Sequence, residues 1–226
     1  RVGARVNSLL VGTLNPADYL CADVSEKLLT DLALRLIAKT VKAAKTLCGR
    51  QPLPKLLALR VPTTLLYSEG GLADLLAAAG AGAPEEIPLC LVFTDEAMDA
   101  DAETLARAIT EIHAAGFRFA VDGYGGEDFP MEKLLSVCPD LLFTSPRVAA
   151  LSSDRGRVAA LAPLLNFAKS LGAEIIADAV GDDGALREFR ARDAFGFLPS
   201  AGYAGTACRP TGALTEEEIR KLQSEE

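Results

Sequence analysis

Apolar residues along this chain recur alternately at strand spacing and at helix spacing, and few architectures accommodate that alternation. Residues 2–11 read as a first strand, stopped by Asn15 and Pro16, and residues 25–47 as a long amphipathic helix with leucines at helical spacing. Further strands are expected at 55–61, 88–94, 117–122, 141–144, 174–178 and 194–198. Between them the pattern predicts helices at 72–79, 101–115, 131–137, 155–171 and 185–191, with a last acidic helix at 215–223. Gly116 and Gly172 stand where two of these helices should end, as left-handed C-terminal positions require. Strands separated by helices pair in parallel through right-handed crossovers, which leaves an open doubly wound sheet or a closed (β/α) barrel. The length favours a single domain spanning residues 1–226, an α/β TIM-like (β/α)8 barrel modified in or missing its first strand. In either architecture the chemistry sits at the C-terminal ends of the strands.

Half of the residues are hydrophobic and 24% charged, enough for a substantial core. The formal net charge of −8 argues against nucleic acid or an anionic membrane surface as the main partner, since both are polyanions. The chain opens on Arg1 without a signal-peptide pattern, and it is expected to be the C-terminal part of a longer protein, acting in the cytoplasm. Its five cysteines (Cys21, Cys48, Cys90, Cys138 and Cys208) are scattered, and no C-x-x-C pair occurs. With a single histidine, His113, this set does not suit a zinc cluster, and reduced, mostly buried thiols are expected. His113 is expected on a helix surface.

The expected strand ends carry Asn7, Arg60, Thr94 with Asp95, Asp122, Ser145, Asp178 and Phe195. The stretch from Gly116 through Phe119 and Asp122 to Gly126 resembles the core of the EAL-domain family, where a strand runs into a D-D-F-G-x-G loop. The strand from Leu89 to Asp95 is similar to that family's L-x-L-E-I-T-E, and the run from Ala168 to Val180 to its A-x-x-L-G segment followed by A-E-G-V-E. The stretch from Ala194 to Leu198 sits where the family has Q-G-Y-L, and the one from Leu14 to Tyr19 where it has P-x-E/D-F. The register spans nearly the whole chain.

The resemblance implies a cyclic-di-GMP phosphodiesterase barrel, in which magnesium or manganese held by carboxylates and an Asn activates the attacking water. Position by position, the resemblance also implies departures. Asn7-Ser8-Leu9-Leu10-Val11 stands for the signature E-A-L-L-R, without its metal-binding Glu and phosphate-binding Arg. Arg60 takes the place of the metal-binding Asn, Val92 that of the strand Glu, and Asp95 is a shortened Glu. Asp122-Gly123 replaces the paired aspartates, Phe143-Thr144-Ser145 the catalytic K-x-D, Asp178 and Gly181 the late glutamates, and Phe195 the glutamine before the last strand.

With so few oxygen donors left, the metal site is expected to be lost, no cofactor to be needed and the domain not to be an enzyme. The former site then comprises Asn7, Arg60, Asp95, Asp122 and Asp178, with no catalytic residue among them. Simple structural roles compete at each position. Asp122 and Asp178 cap turns, Arg60 pairs with Asp95 or Asp122, and the loop 123–126 is a permissive turn and not a phosphate cradle. Val11, Val92, Phe143 and Phe195 are expected to fill the old groove. Two functional classes follow: a module that binds another protein, or a receptor that binds cyclic-di-GMP without cleaving it. A homodimer surface over residues 129–135 is implied by the resemblance alone.

Overall fold

In the computed structural model the described residues are 6–8, 12–14, 25–48, 55–153 and 158–200. The first two strands, β1 (Val6–Ser8) and β2 (Gly12–Leu14), pair antiparallel as a small ribbon with Asn7 opposite Thr13. Of the strand expected over residues 2–11, Val6–Ser8 is found, the rest of that span lies outside the described residues, and the return strand Gly12–Leu14 was not expected. Helix α1 (Glu26–Cys48) buries Ile37, Val41 and Ala44, spaced at i, i+4 and i+7.

Six strands then form one parallel sheet in strict chain order: β3 (Leu57–Arg60), β4 (Leu89–Phe93), β5 (Arg118–Tyr124), β6 (Leu141–Thr144), β7 (Glu174–Val180) and β8 (Gly196–Pro199). Such an order means the chain never reverses its winding, as a doubly wound sheet must. The sheet curls instead into a half-barrel, and the fold class expected from the sequence holds in this form. The two faces of the strands confirm the winding. Leu89, Leu91 and Phe93 of β4 join the large core under the helices, whereas Cys90 and Val92 face inward with Ala120, Leu141, Phe143 and Ile176. Burial on both faces explains why the strands read as continuous apolar runs.

The helices between the strands follow local rules. Helix α2 (Thr64–Tyr67) is a single turn after Pro62, and α3 (Gly71–Gly80) buries Leu75 and Ala79. Helix α4 (Ala102–Ala114) starts at Asp101, whose carboxylate accepts the Thr104 N–H at 2.9 Å, and buries Leu105, Ala108, Ile109 and Ile112. It stops at Gly116, with φ +81°. After the short α5 (Leu134–Val137) and β6 comes a helix that was not expected, α6 (Pro146–Ser153). The helix expected at 155–171 is found as α7 (Leu161–Ser170), preceded by a 3₁₀ turn (Val158–Ala160). Pro163 falls in the first turn of α7, where its missing N–H costs no intrahelical bond. Helix α8 (Asp183–Arg190) is capped by Asp182, which accepts the Ala185 N–H at 2.7 Å. The expected helix at 215–223 lies outside the described residues. No helix among those described is long and apolar enough to cross a membrane.

Candidate functional site

The C-terminal ends of the six parallel strands form a mouth, and residue parity decides what faces into it. Counting from the inward residues Ala58, Val92, Ala120 and Ile176, the next inward positions toward the strand ends are Arg60, Thr94, Asp122 and Asp178. Arg60 on β3 lies level with Val92 on β4, and Asp122 lies one inward position beyond Ala120 on β5. Their side chains meet across the intervening strand in an ion pair between Arg60 Nη2 and Asp122 Oδ2. Of the alternatives open in the sequence, Asp122 is thus the partner that Arg60 takes. The Asp122 side chain is 10% exposed and the Arg60 side chain 45%. Asp122 Oδ1 also accepts the Gly123 N–H at 2.9 Å.

Just past Asp122 the ladder slips by one residue, and Gly123 takes φ +96°. Asp95, at the start of a 3₁₀ turn (Asp95–Asp99), places its carboxyl carbon 3.7 Å from where a Cβ on Gly123 would sit. A Cβ at 123 would therefore meet this carboxylate at ordinary van der Waals distance. Gly126 closes the turn by donating to Gly123 O at 2.9 Å. The loop 123–126 therefore behaves as a turn, and its glycines are used for conformation.

Asp178 stands farther round, on β7. Its N–H donates to Thr144 Oγ1 at 2.9 Å, and its Oδ1 accepts the Ala179 N–H at 2.8 Å, with Ala179 at φ +57°. Thr144 is fully buried, so this hydroxyl ties β6 to β7. Asn7 belongs to the β1–β2 ribbon, and its side chain lies outside the described residues. The structure thus joins Arg60 and Asp122, sets Asp95 beside their loop and leaves Asp178 held by its own turn. Among the described residues, no three His, Cys, Asp or Glu side chains converge as a cation would require.

The floor of the mouth is apolar: Val92 and Phe143 are each 4% exposed. Phe195 is not part of it. It precedes β8, level with Ile175 near the start of β7, and its ring lies 5.9 Å from the Arg118 guanidinium at the opposite end of the sheet. The groove-filling role read for Phe195 is therefore corrected, because Phe195 stands just before its strand, at the end of the sheet opposite the mouth. Val11 lies outside the described residues. Phe129 is buried edge-on against Tyr124, so within 129–135 the large exposed apolar residue is Leu135.

Three hydroxyl groups also line the mouth; Thr94 and Ser145 were expected at strand ends, and Thr63 was not singled out from the sequence. Thr63 and Thr94 share a hydrogen bond of 3.0 Å between the ends of β3 and β4. Ser145 is buried, and its Oγ has no hydrogen-bond partner among the described residues, a cost of about 1–3 kcal/mol. Thr94 and Ser145 each follow an apolar strand directly, whereas Thr63 stands after Val61 and Pro62 and carried no such signal. Below the mouth, burial pushes the Cys90 thiol up to about 12, so it stays a protonated core group. Of the two cysteines whose burial is described, Cys90 is buried and Cys138 is exposed, the latter capping α5 in a left-handed conformation with φ +42°. His113 is on the surface of α4, as expected, and bonds Asp140 at 2.8 Å.

This half-barrel with its polar rim defines the chain as an α/β domain of the barrel class. The sequence matches the EAL domain family over residues 3–197, and the chain belongs to that family. Solved structures agree. The EAL domain of Mycobacterium smegmatis DcpA is 20% identical, with a TM-score of 0.64 over 77% of this chain and 82% of its own. The PaMucR phosphodiesterase in complex with c-di-GMP is 15% identical, with a TM-score of 0.69 over 84% of this chain and 77% of its own. The Xanthomonas citri FimX EAL domain in complex with c-diGMP is 14% identical, with a TM-score of 0.66 over 80% of this chain and 72% of its own. At these identities the likeness establishes the fold. No curated protein matches the sequence.

Proposed function

We propose that this chain is a catalytically inactive EAL regulatory module of bacterial cyclic-di-GMP signalling, working in the cytoplasm through contact with another protein. The observation that carries the reading is the Arg60–Asp122 ion pair. Hydrolysis by this family's route requires magnesium or manganese held by clustered oxygen donors, and such ions dehydrate only for a complete ligand set. The residues here do not fit that requirement. Asp122 has both carboxylate oxygens engaged by donors, and Val92 and Phe143 offer no lone pair. No lysine occurs at positions 143–145, so the electrostatic partner of an attacking water is missing there too.

A second reading, a receptor that binds cyclic-di-GMP without cleaving it, is favoured by the half-exposed Arg60 at the mouth, since a guanidinium suits a phosphodiester. Two similar structures hold that dinucleotide. One experiment separates the outcomes: purified protein is incubated with cyclic-di-GMP and magnesium or manganese, then titrated calorimetrically with the same nucleotide. We expect no linear dinucleotide and no heat at hundreds of micromolar. Micromolar binding without turnover would select the receptor, and measurable cleavage would refute inactivity.

A further inference from the structure

We infer that the Arg60 guanidinium is the resident cation of the barrel mouth, a tethered positive charge that holds Asp122 in place and keeps divalent ions out. The inference deepens the inactive reading and rests on it. Along the inward row at this end of the sheet, charge alternates with apolar surface: Arg60 on β3, Val92 on β4, then Asp122 beyond Ala120 on β5. Adjacent strands are about 4.8 Å apart, so Arg60 must cross a whole strand, over a side chain that offers it no hydrogen bond, to reach its partner. Asp122 needs that visit. A carboxylate only 10% exposed is costly without a counter-charge. Its Oδ1 is taken by the Gly123 N–H and its Oδ2 by Arg60. A divalent ion seeking Asp122 would therefore have to displace a guanidinium and would meet a like charge at close range. Asp95, beside Gly123, adds negative potential that the same guanidinium offsets.

The test is thermal unfolding of wild type, Arg60→Met, Arg60→Lys and the double variant Arg60→Met/Asp122→Asn, each with EDTA and with millimolar Mn²⁺. Wild type is expected to melt at one temperature in both. Arg60→Met should melt about 2–4 °C lower in EDTA, at the small end of that range because Arg60 is half exposed, and Mn²⁺ should recover part of the loss. The double variant should regain stability over Arg60→Met and ignore Mn²⁺. If Arg60→Met does not fold, Arg60→Lys decides: it keeps the charge on an unforked arm and should melt below wild type while staying indifferent to Mn²⁺. A Mn²⁺-raised Tm in wild type or Arg60→Lys, an Arg60→Met variant as stable as wild type, or a double variant no better than Arg60→Met would overturn the inference. Cleavage of cyclic-di-GMP by wild type would instead sink the inactive reading. A wild type that is catalytically silent beside an unaffected Arg60→Met sinks the resident cation alone.

Discussion

Tyr124 shows how much one side chain can do beside a site without belonging to it. It ends β5 directly after Gly123, is fully buried, and donates its hydroxyl to Leu164 O at 2.6 Å, tying the strand to α7. Burial pushes its phenol up to about 12. The unfolded phenol ionises near its ordinary value of about 10, so the stability tied to the neutral form is complete below that pH. It is lost as pH rises from about 10 through about 12. Tyr124→Phe is therefore expected to cost about 1 kcal/mol at pH 7, the price of one hydrogen bond. Urea unfolding should show the deficit shrinking as pH climbs through that window. None of this was visible in the sequence, where Tyr124 reads only as an aromatic in a glycine-rich loop and Leu164 is forty residues away. The Arg60–Asp122 pair was legible as one of two choices, because a cation and carboxylates at neighbouring strand ends attract one another. Choosing Asp122 over Asp95 required the register that sets Asp122 one inward step past Ala120.

At the level of elements, the turns on either side of β5 carry two different constraints on glycine. At Gly116 only the left-handed φ of +81° matters, since a Cβ there would meet nothing within 4 Å. At Gly125 a φ of +74° is joined by a Cβ position 2.6 Å from Val148 Cγ2 on α6, so an added methyl strikes a buried side chain. Gly116→Ala should accordingly cost about 1 kcal/mol, whereas Gly125→Ala should cost about 2–4 kcal/mol once the clash is added to the strain. Denaturant titration of both variants checks the order. Elements β4 to β7 were legible because strands buried on both faces leave unbroken apolar runs between glycine-terminated helices. Helix α6 was missed, and α7 begins only at Leu161, so that Pro163 falls in its first turn, where a proline is tolerated. The return strand Gly12–Leu14 was missed for a related reason, since three residues show no periodicity.

On the scale of the whole molecule the sheet has two unlike ends. At the mouth, charge is paired across β4 by Arg60 and Asp122. At the opposite end Arg118 bonds Glu174 at 2.6 Å and lies over the Phe195 ring, binding the starts of β5, β7 and β8 together. His113 and Asp140 add a second link there, with Asp140 also accepting the Phe119 N–H at 2.7 Å. Barrels of this class place stability at that end and function at the other. Arg118→Ala is therefore expected to lower stability by no more than about 1 kcal/mol, given that both partners are partly solvated. It should leave any calorimetric response to cyclic-di-GMP unchanged. The alternation of strands and helices gave the winding in outline, but an open sheet and a barrel share that alternation. Only the observed chain-order pairing separates them.

The inward side chains below Arg60 close the bowl a short way down. Cys90, Val92, Ala120, Leu141, Phe143 and Ile176 pack against one another with no charged member among them. Among the described residues a visiting molecule would meet this apolar floor and take its grip from strand tips and the loops around them. Those loops can consequently be rewritten, residue by residue, to suit a different guest while the staves beneath keep their shape.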